Sequence, residues 1–205
     1  GDVAATESVA ELAPALCRVV LLPATAEHLH AATVASVLLS AIHEEQANPQ
    51  LSLTVAGLDH RLDETCLQVV VTPSTAKGLA DATARITTLH PQLPRPVLLV
   101  VRDAPLPPPP IVAHRANALA DRVEASMEVP YLHRLRMVED PALALQGTGR
   151  DLSRARRVLR NTLARLYGMA FLAAGGASTA PIPQHELPLS STTAAHSTVA
   201  LADHP

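Results

Sequence analysis

Short runs of apolar residues alternate along this chain with longer segments in which apolar residues recur every three or four positions. Runs that are apolar throughout are typical of strands buried on both faces of a sheet, and the longer spacing is typical of helices. The predicted strands are 18–22, 51–56, 67–71, 96–101 and a short last strand at 127–132. The predicted helices are 25–45, with Thr25 as the N-cap, 75–89, 111–125 and 151–172.

This alternation predicts an α/β fold: a mostly parallel sheet of about five strands with helices on both faces, in three α/β/α layers. Ligands of such sheets bind beyond the carboxyl ends of the strands. We therefore expect a binding site among the loops that follow predicted strands, which are 23–26, 57–64, 72–77 and 102–110.

The composition divides the 205 residues into three regions. Residues 1–16 form an Ala-rich N-terminal segment, with a short helix predicted over 6–16. Residues 17–172 carry the apolar pattern and predict a single α/β domain. Residues 173–205 are rich in Gly, Ala, Ser, Thr and Pro without periodicity, which predicts a disordered tail.

Composition also narrows the classes of partner. The chain has one Phe, two Tyr and no Trp, which argues against aromatic platforms for single-stranded nucleic acid or sugars. The formal net charge of −3 argues against polyanion binding by the whole molecule. Two cysteines, Cys17 and Cys66, predict free buried thiols. No apolar run is long enough to span a membrane and no leader pattern is present, so we expect a cytoplasmic protein.

Residues 18–33 and 68–83 form an internal repeat with an offset of 50, in which 8 of 16 positions are identical. Each copy is an apolar run, a proline, a threonine and a helical pattern. The match is either local convergence in an Ala-, Val- and Thr-rich chain or a sign that both copies do the same structural job. A Pro-x-Thr turn lacks one backbone N–H, so it makes a poor phosphate cradle compared with a glycine-rich loop.

Four stretches resemble the C-terminal half of the MinD/ParA family of deviant-Walker P-loop ATPases, which position division sites, chromosomes and other cargo. LTVAGLD resembles the strand that ends in an aspartate near the γ-phosphate, here Asp59. LQVVVTPSTAKGLADA resembles the strand, Thr-Pro pair and helix that follow. PVLLVVRD resembles the next strand, which in the family usually ends in Asn, and EVPYLHRLR resembles the short strand that passes the adenine. The resemblance covers a region from 51 to about 168. The resemblance makes nucleotide-contact candidates of Asp59, Thr72, Lys77, Arg102 and Asp103.

The departures from this family concern its phosphate loop, KGGxGK[ST]. No glycine lies between Gly1 and Gly57, and the only lysine, Lys77, follows a later strand. The resemblance then implies a non-catalytic member without ATP or Mg²⁺. Such a member would act through protein–protein contacts in positioning, partition or a secretion assembly, as a homodimer or with another partner.

Two alternatives remain open. One is a working ATPase of the same family whose P-loop lies upstream or on a partner, and this protein would use ATP and Mg²⁺. The other is an unrelated flavodoxin-like ligand-binding or sensor module on the same α/β scaffold.

Other polar clusters give weaker signals. His28 and His30 are expected to be surface histidines. Asp59, His60, Asp63 and Glu64 form either a polar turn or a cation site, but their spacing matches neither an EF-hand nor a zinc motif, so no metal site is predicted. No catalytic constellation is recognisable, which favours a protein that is not an enzyme.

The predicted last helix carries an arginine cluster beside leucines that repeat every seven residues. This pattern indicates either a solvated helix face or a basic surface for DNA phosphates or an anionic membrane. The interaction candidates are Arg150, Arg154, Arg156, Arg157, Arg160 and Arg165.

Overall fold

The computed structural model describes residues 17–46, 51–57, 66–91 and 93–174. The strands are β1 (Cys17–Pro23), β2 (Leu51–Val55), β3 (Cys66–Pro73), β4 (Val97–Val101) and β5 (Ala125–Val129). The helices are α1 (Leu29–Gln46), α2 (Ala76–Thr88), α3 (Pro110–Ala118) and α4 (Arg150–Ala173), with 3₁₀ turns at Ala26–His28, His133–Arg136 and Pro141–Leu145. The segment 1–16, the loop 58–65 and the tail from 175 lie outside the described residues, as do the predictions made for them.

All five strands are parallel, and their order across the sheet is β2-β1-β3-β4-β5. The predicted α/β class and five-stranded parallel sheet are therefore confirmed. This strand order is that of the flavodoxin-like doubly wound sheets, in which the winding reverses between β1 and β3.

Helices cover both faces of the sheet, as predicted. On one face α1 and α4 pack against the odd-numbered positions of β1, such as Val19 and Leu21. On the other face α2 and α3 pack against even-numbered positions of β3 and β4, such as Val70 and Leu98. Burial on both faces explains why the inner strands β1, β3 and β4 are mostly apolar, whereas the edge strands β2 and β5 alternate apolar and polar residues. No helix in the described part of the chain is long and apolar enough to cross a membrane.

The segment 111–132 differs from the sequence prediction in where its helix ends and its strand begins. The helix ends at Ala118, and β5 starts at Ala125 rather than at 127. Leu119 and Val123 keep the helical spacing of buried positions, but they belong to a turn in which Arg122 and Val123 donate to the carbonyl of Leu119. A local apolar period cannot separate such a turn from one more helical turn.

The two copies of the repeat are neighbours in the sheet. Each strand ends at a proline, Pro23 or Pro73, and each is followed by a helix, α1 or α2, on opposite faces. In the second copy the Thr75 hydroxyl caps α2 by accepting from the amide of Gly78 at 2.9 Å. The prediction that Thr25 caps α1 is wrong. A 3₁₀ turn intervenes before α1, and the Thr25 hydroxyl makes no capping bond.

Candidate ligand pocket at the carboxyl edge of the sheet

The turns after β1 and β3 are closed by backbone hydrogen bonds. The amide of Ala24 donates to the carbonyl of Val71 at 3.0 Å, and the amide of Ser74 donates to Val101 at 2.9 Å. Both bonds continue the pairing of the sheet past the prolines. Amides committed in this way are not free to hold a phosphate, so Ala24 and Ser74 cannot contribute N–H groups to a phosphate nest.

Lys77 does not lie in a phosphate site either. Its Nζ lies 2.8 Å from Oδ2 of Asp81 and 3.0 Å from Oε2 of Glu27. Hydrogen bonds to Asp81 and Glu27 raise the pKa of Lys77 above its usual value of 10.5. Of the nucleotide-contact candidates, Thr72 has a fully buried side chain and Lys77 is paired with two carboxylates, so neither is available to a phosphate.

His28 was expected at the surface, and this expectation is wrong. The side chain is 8% exposed, with Nε2 3.6 Å from Oδ2 of Asp81 and Nδ1 buried without a hydrogen-bond partner. The 3₁₀ turn at Ala26–His28 changes the direction of the chain before α1 begins and turns this ring inward. His30, in the first turn of α1, is exposed as expected.

A pocket of about 330 Å³, called the carboxyl-edge pocket below, lies beyond the carboxyl ends of β3, β4 and β5. The first turns of α1 form one wall, and the segment between β5 and α4 forms the other. Its size falls at the lower end of the range for small-molecule sites. The apolar lining residues are Ala31, Val34, Pro73, Val101, Leu132, Leu135, Val138 and Pro141, and the polar ones are His30, Arg102, Asp103, Tyr131, Arg136 and Glu139.

Arg102 and Asp103, which follow β4, are the two sequence-predicted candidates that line this pocket. The Arg102 guanidinium donates to Oε1 of Glu128 at 3.0 Å and to the carbonyl of Leu106. The Asp103 carboxylate accepts from the hydroxyl of Ser74 at 2.5 Å, and the Asp103 amide donates back to that hydroxyl at 3.3 Å. These bonds connect the loops after β3 and β4 and fix the edge of the pocket.

Arg136 and Tyr131 were not among the candidates from the sequence. Arg136 lies 5.8 Å from the centre of the Tyr131 ring, within the range of a cation–π contact, and donates to the carbonyl of Asp103 at 3.2 Å. Both residues lie in EVPYLHRLR, whose 3₁₀ turn has no apolar period that would indicate an inward-facing side. The only signal was their position after the last strand.

A wider cavity of about 510 Å³ shares Arg102 and Tyr131 with this pocket and opens between β5 and the start of α4. Its lining is more polar and includes exposed residues of α4 such as Asp151 and Arg154. The smaller pocket has the larger set of apolar side chains, which favours it as a ligand site.

The arginines of α4 divide into two groups. Arg156 and Arg160 each lie 3.5 Å from a carboxylate oxygen of Glu45, at the end of α1, and Arg156 also donates to the carbonyl of Leu145. This pairing favours a structural role for these two. A period of 3.6 residues places the other candidates on one solvent-facing stripe, where they are exposed and form no ion pair with a described residue: Arg150, Arg154, Arg157 and Arg165.

Within the described ranges, no three side chains of the types that bind metals lie together. Asp59 and its acidic neighbours fall in the undescribed loop 58–65. No protein-family model matches this chain, and no curated protein matches it.

Proposed function

We propose that this chain is a non-catalytic module that binds a small ligand in the carboxyl-edge pocket and acts in the cytoplasm. The observation that carries the proposal is the position of the pocket. It lies beyond the carboxyl ends of parallel strands and against the helix that follows β1, close to the place where the winding reverses. Sheets of this order bind their ligands in that crevice.

The chemistry of the lining favours binding over catalysis. Ser74 and Asp103 bond to each other, and no described histidine forms a hydrogen bond with either, so a nucleophile with its base is lacking at this edge. Cys17 and Cys66 are buried and not joined in a disulfide, which agrees with a reducing compartment.

A pocket-filling substitution tests the proposal. Ala31 lines the pocket from α1, so Ala31→Phe should occupy the cavity. The control is Ala164→Phe, which places the same ring on an exposed position of α4. Native mass spectrometry and thermal-shift screening of the full chain against a panel of small metabolites should find a ligand for the wild type and the control only. Equal binding by Ala31→Phe would place the ligand elsewhere and contradict the proposal.

A second candidate function rests on the arginine stripe of α4. In it the chain is a non-catalytic MinD/ParA-like domain that acts through protein–protein contacts, as a homodimer or in a positioning, partition or secretion assembly. The stripe Arg150, Arg154, Arg157 and Arg165 would then contact DNA phosphates or an anionic membrane. About 15 residues separate its ends, or about 22 Å at 1.5 Å per residue.

Two measurements test this second candidate. Retention on heparin or DNA should fall as salt rises, and it should be lost when the four stripe arginines are replaced by Gln. The control variant, Arg156→Gln with Arg160→Gln, should still be retained. Unchanged elution of the fourfold variant would contradict the basic surface. Calorimetric titration with ATP and Mg²⁺ should give no heat above dilution, and a micromolar site would instead favour the working-ATPase alternative.

A further inference from the structure

We infer that the ligand of the carboxyl-edge pocket is a small molecule with one anionic group and an apolar body, and that Arg136 binds the anionic group. This inference rests on the proposed binding function and adds the chemical class of the ligand. The argument concerns the four charged side chains that line the pocket, Arg102, Asp103, Arg136 and Glu139.

Two of these four charges are already engaged within the protein. Arg102 is paired with Glu128 at 3.0 Å and bonded to the carbonyl of Leu106, and its side chain is only 16% exposed. The Asp103 carboxylate accepts a short hydrogen bond from Ser74. The charge of Arg102 is thus matched by Glu128, whereas Asp103 keeps a charge that no described cation matches, so Arg136 is the lining cation left for an anionic group.

Arg136 is the cation of the lining that is both held in place and unmatched by a carboxylate of the described residues. Its guanidinium has five N–H donors and forms one hydrogen bond, to the neutral carbonyl of Asp103. Its Cζ lies 5.8 Å from the centre of the Tyr131 ring. Among the described residues no carboxylate lies within 4.0 Å of its guanidinium. A positioned guanidinium with free donors is suited to a carboxylate or phosphate, which it binds through two parallel hydrogen bonds.

Glu139 carries the charge opposite to that of Arg136, and the surroundings of the two side chains decide which of them contributes more to ligand binding. It is exposed and forms no ion pair with a described residue. Arg136 is exposed too, but the Asp103 carbonyl and the Tyr131 ring hold it in place. A carboxylate without such contacts remains solvated and screened, so it contributes less to ligand binding than a positioned arginine. The remaining lining is mostly aliphatic, including Val34 and Leu135, and favours an apolar body.

Three probes of matched shape separate the possible ligand charges: benzoate, benzamide and benzylamine, which is a cation at pH 7. Each is titrated into the ¹⁵N-labelled full chain at low salt, and the amide shifts of lining residues report binding. Benzoate should bind most tightly. Arg136→Gln should weaken benzoate about tenfold, and Arg136→Lys less so, because Lys keeps the charge without the fork. Glu139→Gln should strengthen benzoate and weaken benzylamine.

The control is Arg134→Gln, since Arg134 is on the same 3₁₀ turn but bonds the carbonyl of Gln146 and does not line the pocket. Its benzoate affinity should match that of the wild type. If benzamide or benzylamine binds as tightly as benzoate, or if Arg136→Gln leaves benzoate unaffected, the ligand class is wrong while the binding function stands. If none of the three probes moves the lining amides, both the class and the binding function fail.

Discussion

Nζ of Lys77 lies 3.0 Å from Oε2 of Glu27, and these two residues occupy the same position in the two copies of the repeat, fifty residues apart. The repeat therefore presents opposite charges from two neighbouring turns. Asp81 completes the cluster from the next turn of α2, at 2.8 Å from Nζ. The only lysine of the chain thus connects the 3₁₀ turn before α1 to α2 across the carboxyl edge of the sheet.

Replacing Lys77 tests this role. Hydrogen bonds to Asp81 and Glu27 raise its pKa, so the lysine stabilises the fold while it is protonated. That stabilisation is present below about pH 10.5 and is lost as pH rises through the raised folded-state value. Lys77→Gln should therefore lower the melting temperature slightly at pH 7, since the lysine is exposed, and the difference should shrink as the pH rises above 10.5. A difference that grows with pH would contradict this account.

Gly78 allows α2 to begin directly against the end of β3. A Cβ at this position would lie 2.6 Å from the carbonyl oxygen of Pro73 and 2.6 Å from the Thr72 hydroxyl. Because the carbonyl is backbone, Gly78→Ala should force the helix away and lower the free energy of unfolding by about 1–3 kcal/mol in urea titrations.

The matched control is Gly168→Ala, where nothing lies within 4 Å of the added carbon. Alanine is the better helix former, so this change should raise stability by up to about 1 kcal/mol. Equal effects at the two glycines would show that helix propensity, and not the close approach to β3, decides the outcome.

The bond between Ser74 and Asp103 holds two loops that border the pocket. Ser74 is 7% exposed, but the Asp103 carboxylate is exposed and can bond water instead, so Ser74→Ala should cost about 0.5–1.5 kcal/mol of unfolding free energy. The change should also weaken benzoate binding, because Asp103 also supplies the backbone carbonyl that holds Arg136. Asp103→Asn, which keeps an acceptor for the serine, should lose less stability than Ser74→Ala, as measured by urea unfolding.

Cys17 and Cys66 should react slowly with thiol reagents in the folded protein. Each is 1% exposed, and burial raises the pKa of the Cys17 thiol, which lowers the fraction of reactive thiolate. Labelling with an aromatic disulfide should reach both thiols only in denaturant. Fast labelling of the folded chain would mean that β1 or β3 opens readily at its amino end.

Much of the fold was predictable because its signals are local. The runs at 18–22 and 67–71 lie within β1 and β3, and the helical pattern at 151–172 matches α4 to within one or two residues. The expectation of free buried cysteines is also confirmed for Cys17 and Cys66. The predicted helix 111–125 extends past the observed end at Ala118, because Leu119 and Val123 lie in a turn that buries them at helical spacing.

The candidate site was predictable only in part. The rule that ligands bind after strands selected the loops 72–77 and 102–110, which contain Ser74, Arg102 and Asp103, and the resemblance singled out Arg102 and Asp103. The basic last helix was predictable from the sequence, but the division of its arginines into a group paired with Glu45 and an exposed stripe was not. Whether Arg156 faces Glu45 or solvent depends on the packing of α4 against α1, and these residues lie far apart in the sequence.

The sequence by itself determined the alternation of strands and helices, the apolar faces and the proline-terminated turns, because each follows from residues within a few positions of one another. Only the tertiary structure decided the strand order, and with it the partners of Lys77, Arg102 and Arg136. Those contacts join side chains from different loops at one edge of the sheet. Which loops meet there depends on which strands pair, and no local period in the chain encodes that choice.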